Sequence, residues 1–360
     1  MKAALARHIL TLPAILFALC SCAFAPPEKQ GKADSGPVRV IERYTTTPSP
    51  TDNIDSVATW RAPDGNTLLI ATAKDVDNLA VFDADSGVHL KRIGKSGTAL
   101  GEFKRPNGVV VIDDLLLVVE RDNHRVQVFE LPEFKPIGVL GENELKLPYG
   151  VWVRRQGARY EAYVTDSYQQ PDGEPPPIAQ LGQRVHLFTL AHEDGRAKAA
   201  HVRAIGDTSP SGALRWVESI YGDPAHDRML IAEEHLPTGT ALRVYDMQGR
   251  YSGRDIGKDL FKGQAEGIAL FDCADGSGYW LATDQHSSGN VFQVFDRESL
   301  RSLGSFAGSG TQNTDGIHLR MQPSATFPKG VFYAVHDDRA VSAFDWADVA
   351  KGLGLRASCE

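Results

Sequence analysis

The residues best placed to do chemistry are carboxylates set at the ends of apolar runs. In "MLIAEEH", residues 229–235, a hydrophobic stretch stops at two adjacent acids, Glu233 and Glu234, and then His235. Asp55, Asn107, Tyr149, Glu218, Glu266 and Asp315 each open a short apolar run. Lys74, Arg121, Asp166, Glu233 with Glu234, Asp284 with Gln285, and His336 with Asp337 each close one. Crowded carboxylates repel one another, and burial raises their pKa values unless a cation intervenes. Oxygen donors without cysteine or paired histidine suit Ca²⁺ rather than zinc. Such a ring holding several Ca²⁺ ions, with Lys74 and Arg121 beside it, would attract a highly anionic ligand. Phosphate is the natural candidate, because metal and guanidinium together neutralise its oxygens.

The elements that must position these groups repeat along the chain. One pattern is an apolar strand with a polar end, a short loop, and a second strand ending in an acidic turn. Its copies are "TLLIATAKDVDNLAVFD", "LLLVVERDNHRVQVFE", "EAYVTDSYQQ…QRVHLFTL", "MLIAEEHLPTGTALRVYD", "YWLATDQHSSGNVFQVFD" and "VFYAVHDDRAVSAFD". Alternation with Val, Ile, Phe and Tyr marks strands, and Gly, Asp and Asn mark turns. Ahead of each pair stands a shorter strand: "IDSVATW", "PNGVVVI", "PYGVWVR", "VESIYGD", "AEGIALF" and "TDGIHLR". Six such units without notable helical periodicity predict an all-β, six-bladed β-propeller. The short strands line its axis. "VRVIERYTT", residues 38–46, has no blade of its own and is expected to close the ring as the outer strand of the last blade. Inner strands start, and their antiparallel neighbours end, at one mouth of the central channel, so two concentric sets of ionisable groups meet there. Asp83, Glu130, Asp246, Asp296 and Asp345, at the ends of third strands, read as turn formers.

The ends of the chain carry a different message. Lys2 and Arg7 precede "ILTLPAILFALCSC", too short for a comfortable membrane span and readable as a signal sequence over residues 1–25. "LCSC", ending at Cys22, resembles a lipobox and would tether the chain to a membrane through a lipid on that cysteine. "AFA", ending at Ala25, offers a competing cleavage site and free secretion. Residues 26–37 read as a linker and 38–358 as the propeller, giving an exported, periplasmic, outer-membrane-anchored or secreted monomer. A formal net charge of −8 argues against nucleic acid as a partner. Beyond the leader only Cys273 and Cys359 remain, enough for at most one disulfide.

At these residues the chain resembles the β-propeller phytases, calcium-dependent bacterial phosphatases that act on inositol hexakisphosphate. "QAEGIALFDCADGSGYWLATDQHSSGNVFQVFDR" and "NTDGIHL" are similar to the family's EG, GxGY and TDGI run, and "MLIAEEH" to its LYIAEE strand. Glu218 precedes Glu234 at the family's spacing, "PYGV" resembles its YG segment, and "DNIDSVATW" a diverged DxDDPAxW motif. The resemblance spans essentially the whole chain past the leader. It implies that Asp55, Glu218, Glu234, Glu266 and Asp315 hold Ca²⁺ and the attacking water. It also implies that Lys74 and Arg121 bind phosphate oxygens and that Tyr149 and Gln285 complete the pocket. Hydrolysis would proceed by direct attack of water on a phosphomonoester, with no covalent phospho-enzyme. The family's NNVD motif survives as "PNGV", with Asn107 kept but Val109 or Val110 in place of its acid. Asp166 stands where the family has a phosphate-binding Lys, a loss for which Arg184 is the available compensation. These departures touch phytate preference more than fold. Two other readings stand beside this one: a non-catalytic exported propeller that binds or scaffolds a partner, and a Ca²⁺-dependent propeller lactonase.

Overall fold

The structure, a computed structural model, describes residues 36–286 and 289–359. The expected leader, Cys22 and nearly all of the linker lie outside the described residues. Strands form in runs of four, each run folding back on itself as an antiparallel sheet, as the six sequence copies predict. Blade 1 comprises Ile54–Arg61, Thr67–Ala73, Asn78–Asp83 and His89–Ile93, from the axis outward. Blade 2 comprises Pro106–Ile112, Leu115–Glu120, Arg125–Glu130 and Lys135–Leu140. Blade 3 comprises Pro148–Gln156, Arg159–Asp166, Val185–Glu193 and Arg196–Ile205. Blade 4 comprises Ile220–Asp223, Arg228–Glu233, Ala241–Tyr245 and Tyr251–Ile256. Blade 5 comprises Gln264–Asp272, Gly278–His286, Gly289–Asp296 and Ser302–Ala307. Blade 6 takes only three strands from its own stretch, Ile317–Arg320, Val331–His336 and Ala340–Asp345.

Its fourth strand is Tyr44–Thr45, paired antiparallel to Ala340–Asp345, so the ring closes as expected. A second clasp was not legible in the sequence: Val38–Arg39 adds a fifth, parallel strand to the edge of blade 5. Between the two clasps, Glu42 accepts hydrogen bonds from the N–H groups of Ser309, Gly310 and Thr311 and from the Thr311 hydroxyl (2.6 Å). Burial opposes that charge, but the Ser309 and Thr311 hydroxyls and the backbone donors prevail and lower its pKa to about 2.

The apolar faces of the strands bury against neighbouring blades, and a separate hydrophobic cluster fills each of the six interfaces. Phe292, Phe306, Phe332 and Phe344 pack edge-on between blades 5 and 6, and Trp152 wedges with Tyr163 and Tyr221 between blades 3 and 4. Asp83 and Asp296 cap their turns through the N–H of Ser86 and Ser299, as read from sequence, and Asp246 does so through that of Arg250. Asp345 instead accepts from the Ala347 N–H and starts a helix, Trp346–Leu353, that the strand pattern hid. Cys273 and Cys359 form a disulfide that ties the chain's end to blade 5.

Candidate active site at the channel mouth

The inner strands do not run as regular ladders into the mouth. In blades 1, 2, 3 and 5 the register slips at the residue pair Asp55–Ser56, Asn107–Gly108, Tyr149–Gly150 and Glu266–Gly267. In blades 4 and 6 the strand begins only at Ile220 and Ile317, two residues past Glu218 and Asp315. A bulge re-aims a side chain that pleating would send into the blade, so Asp55, Asn107, Tyr149 and Glu266 leave the ladder, and Glu218 and Asp315 stand ahead of theirs. The residue after each is small because the backbones touch. A Cβ on Gly150 would lie 2.1 Å from the Glu218 carbonyl oxygen. One on Gly316 would lie 2.5 Å from that of Asp55. Backbone bonds close the same gaps, Gly267 N–H to Asp315 O and Gly316 N–H to Asp55 O, each 2.9 Å.

Carboxylate oxygens of Glu218, Glu234 and Glu266 come within 4.8 Å of one another. Asp55, Tyr149, Glu218, Glu266 and Asp315 line a cavity of about 30 Å³ between them, enough to hold a water. Lys74 enters from the end of the second strand of blade 1, only 7% exposed, with Nζ 2.7 Å from Asp55 and 3.4 Å from Asp315. Gln285 donates to the other oxygen of Asp315. Glu234 is 2% exposed and its Oε1 has no partner; the Asn107 amide is fully buried with neither polar atom paired.

The electrostatics follow from this crowding. Burial, then the charges of Asp55 and Asp315, raises the Glu218 carboxyl well above its usual range. Burial, then Glu218 and Glu266, does so for Glu234, and burial, then Glu218 and Asp315, for Glu266. Asp315 is pushed up to about 7, by burial first, with Lys74 opposing and Asp55 adding. Burial works against the Lys74 ammonium, but Asp55 and Asp315 outweigh it and hold it charged. Burial and the same acids keep the Tyr149 hydroxyl protonated, a neutral donor. A set of hard carboxylate oxygens, that of Glu234 unpartnered, crowded and buried together, is what a divalent cation relieves. The residues present therefore fit Ca²⁺.

The second set of ionisable groups behaves differently from the concentric ring expected. Glu233 accepts from the N–H of Arg215 (2.7 Å), Trp216 and His235 (both 3.2 Å) and lies beside Arg243. Asp166 accepts from the N–H of Lys146 (2.8 Å) and Leu147 (2.7 Å), and Asp284 from those of Lys262 and Gly263. Glu120 accepts from the Lys104 N–H (3.2 Å) and pairs with Arg125. In four blades the acid at the end of the second strand thus clasps the loop that leads into the inner strand. Glu234, one residue beyond such a clasp, turns to the axis instead.

Arg121 and Arg184 are engaged by partners other than the acids of the mouth. Arg121 Nε donates to its neighbour Asp122 (2.7 Å). Arg184 is fully buried, its N–H groups donating to the carbonyls of Leu214, Asp166, Tyr168 and Arg215. Sequence reasoning also passed over Thr165, whose hydroxyl donates to the Glu218 carbonyl and accepts from Gly150 N–H, both 2.7 Å. Thr72 accepts from Ser56 N–H in the same way. The recurrence of Thr near second-strand ends, in "ATAK", "VTDS" and "ATDQ", was the available signal.

The NHL repeat family matches residues 103–129, which fall on blade 2. No curated protein matches the chain. Among solved structures it is similar to the Kuenenia stuttgartiensis hydrazine synthase, with a TM-score of 0.50 and 10% identity over 84% of this chain and 98% of that one. It is also similar to a chain of a nidogen/laminin complex, with a TM-score of 0.49 and 14% identity over 76% and 86%. At such identities the likeness is one of fold. The propeller itself is shown by the six sheets, and an activity has to be argued from the mouth.

Proposed function

We propose that the mouth is the active site of a Ca²⁺-dependent phosphomonoester hydrolase of the phytase type. The observation that supports this reading is the convergence of Glu218, Glu234 and Glu266 within 4.8 Å, with a buried, unpartnered Glu234 oxygen among them. Glu218, Glu234 and Glu266, with Asp55 and Asp315, would hold the metal. Bound Ca²⁺ supplies positive charge that lowers the pKa of water and takes up charge on phosphoryl oxygens. The remaining work falls to the protein's own groups. Lys74 offsets part of the acidic charge and stands ready for a phosphate oxygen. The Tyr149 hydroxyl, held neutral, can donate to an anion. Gln285 fixes the orientation of Asp315. The Cys273–Cys359 disulfide supports an oxidising, exported setting.

The test is release of inorganic phosphate from inositol hexakisphosphate and from simple phosphomonoesters, by the chain lacking its first 25 residues, in Ca²⁺ and in EDTA. Release that requires Ca²⁺ is expected. A folded protein that releases none from any of these esters overturns the reading and returns the weight to a binding propeller.

A further inference from the structure

Beside the mouth, on the same face, a cleft of about 870 Å³ opens between the loop ahead of Tyr149 and the Pro-rich insertion of blade 3. Asp166 draws the two together, since it clasps Lys146 and Leu147, and the Ser167 N–H donates to the Leu147 carbonyl (2.9 Å). Leu147 lines the cleft and precedes Tyr149 by two residues, about 7 Å of extended chain. The far wall is held in shape by its own bonds. The Tyr168 hydroxyl donates to the Gln180 carbonyl (2.5 Å), and Gln170 Nε2 to the Pro175 carbonyl (3.0 Å).

The chemistry of this lining is one-sided. Among the described residues, Gln169, Gln170, Gln180 and Gln183 stand in it against a single cation, Lys146, and no acid lines it. Lys146 Nζ rests 4.9 Å over the Tyr168 ring. Arg184, beneath the same ring, has its N–H groups committed to four carbonyls and is sealed from the cleft. A primary amide both donates and accepts, which matches a hydroxyl; an array of phosphates needs an array of cations.

We propose that this cleft receives the hydroxyl-bearing, unphosphorylated part of the substrate, so that the substrate class is a sugar or polyol monophosphate rather than a polyphosphorylated cyclitol. One phosphate sits at the acid-rich mouth, and the hydroxyls reach the glutamines. This deepens the phosphomonoesterase reading and rests on it. The experiment compares glucose 6-phosphate, methyl phosphate and inositol hexakisphosphate as substrates in Ca²⁺, for the wild type and for the double variant Gln169→Ala/Gln183→Ala, two exposed positions. The wild type is expected to prefer glucose 6-phosphate to both others by kcat/KM. The variant's ratio of glucose 6-phosphate to methyl phosphate should fall about tenfold, the effect of two lost hydrogen bonds. Preference for inositol hexakisphosphate, or an unchanged ratio in the variant, overturns the proposal while leaving the hydrolase reading intact. If no ester is turned over, the hydrolase reading fails, and calorimetric binding of glucose 6-phosphate decides the cleft alone. Binding weakened in the variant sustains it, and absent or unaltered binding removes it.

Discussion

Glu233 and Glu234 show how far one residue can separate two roles. Successive strand residues face opposite ways, so the pair divides naturally into a carboxylate that clasps a loop and one that reaches the axis. That division was legible in "MLIAEEH". Because burial and its neighbours make the Glu234 charge unfavourable, Glu234→Gln should raise the melting temperature of the EDTA-treated protein at pH 8. It should also abolish Ca²⁺-dependent turnover and shrink the thermal shift that Ca²⁺ produces. Full activity in this variant would remove Glu234 from the site. Lys74→Ala deletes the ammonium between Asp55 and Asp315, and KM for a phosphomonoester should rise about tenfold, the scale of one charged hydrogen bond; an unchanged KM would confine Lys74 to structure. The placement of Arg184 was not legible. A guanidinium on a long stem goes wherever its nearest acceptors are, and its acceptors, four backbone carbonyls, are assembled only by folding.

At the level of the strand, the recurring polar-residue-then-Gly pairs were readable as inner-strand starts, but their reason was not. The register slips at four of them exist only as pairings between strands, and the small residue is demanded by a neighbouring blade rather than by its own. Gly150→Ala puts a methyl group 2.1 Å from the Glu218 carbonyl. Urea unfolding should show a loss of about 1–3 kcal/mol, as for other overpacked sites, together with weaker Ca²⁺ binding because Glu218 must shift. A variant with wild-type stability and metal affinity would show that the ring has slack. The clasping acids were visible as residues, yet their partners are loop N–H groups that no side-chain pattern announces. The same applies to Asp166, which is given to holding a loop.

For the molecule as a whole, the acid-rich mouth should set how stability depends on pH. Burial and neighbouring charge push Asp315 up to about 7 from an ordinary 3.8, and Glu218, Glu234 and Glu266 are shifted the same way. Acids raised in the fold bind protons more tightly folded than unfolded, so stability falls as pH rises through that window, from about 4 to about 7 and beyond. Melting curves in EDTA should show this slope and curves in Ca²⁺ should flatten it; parallel slopes in the two conditions would argue against a metal there. The Cys273–Cys359 bridge closes a separation of 86 residues, and replacing both cysteines by serine should cost about 2–4 kcal/mol in chemical denaturation.

The two clasps also impose an order of events. Val38–Arg39 pairs with Phe306 and Ala307, and Tyr44–Thr45 with Ser342 and Ala343, partners more than 260 residues downstream. The segment that leaves the ribosome early is therefore among the last to find its place. Until it does, the outer edges of blades 5 and 6 stand open as templates for strand addition. Contacts that distant in sequence slow folding, so the interval between completing blade 6 and docking residues 38–45 is when a nascent chain of this design is most exposed to misassociation.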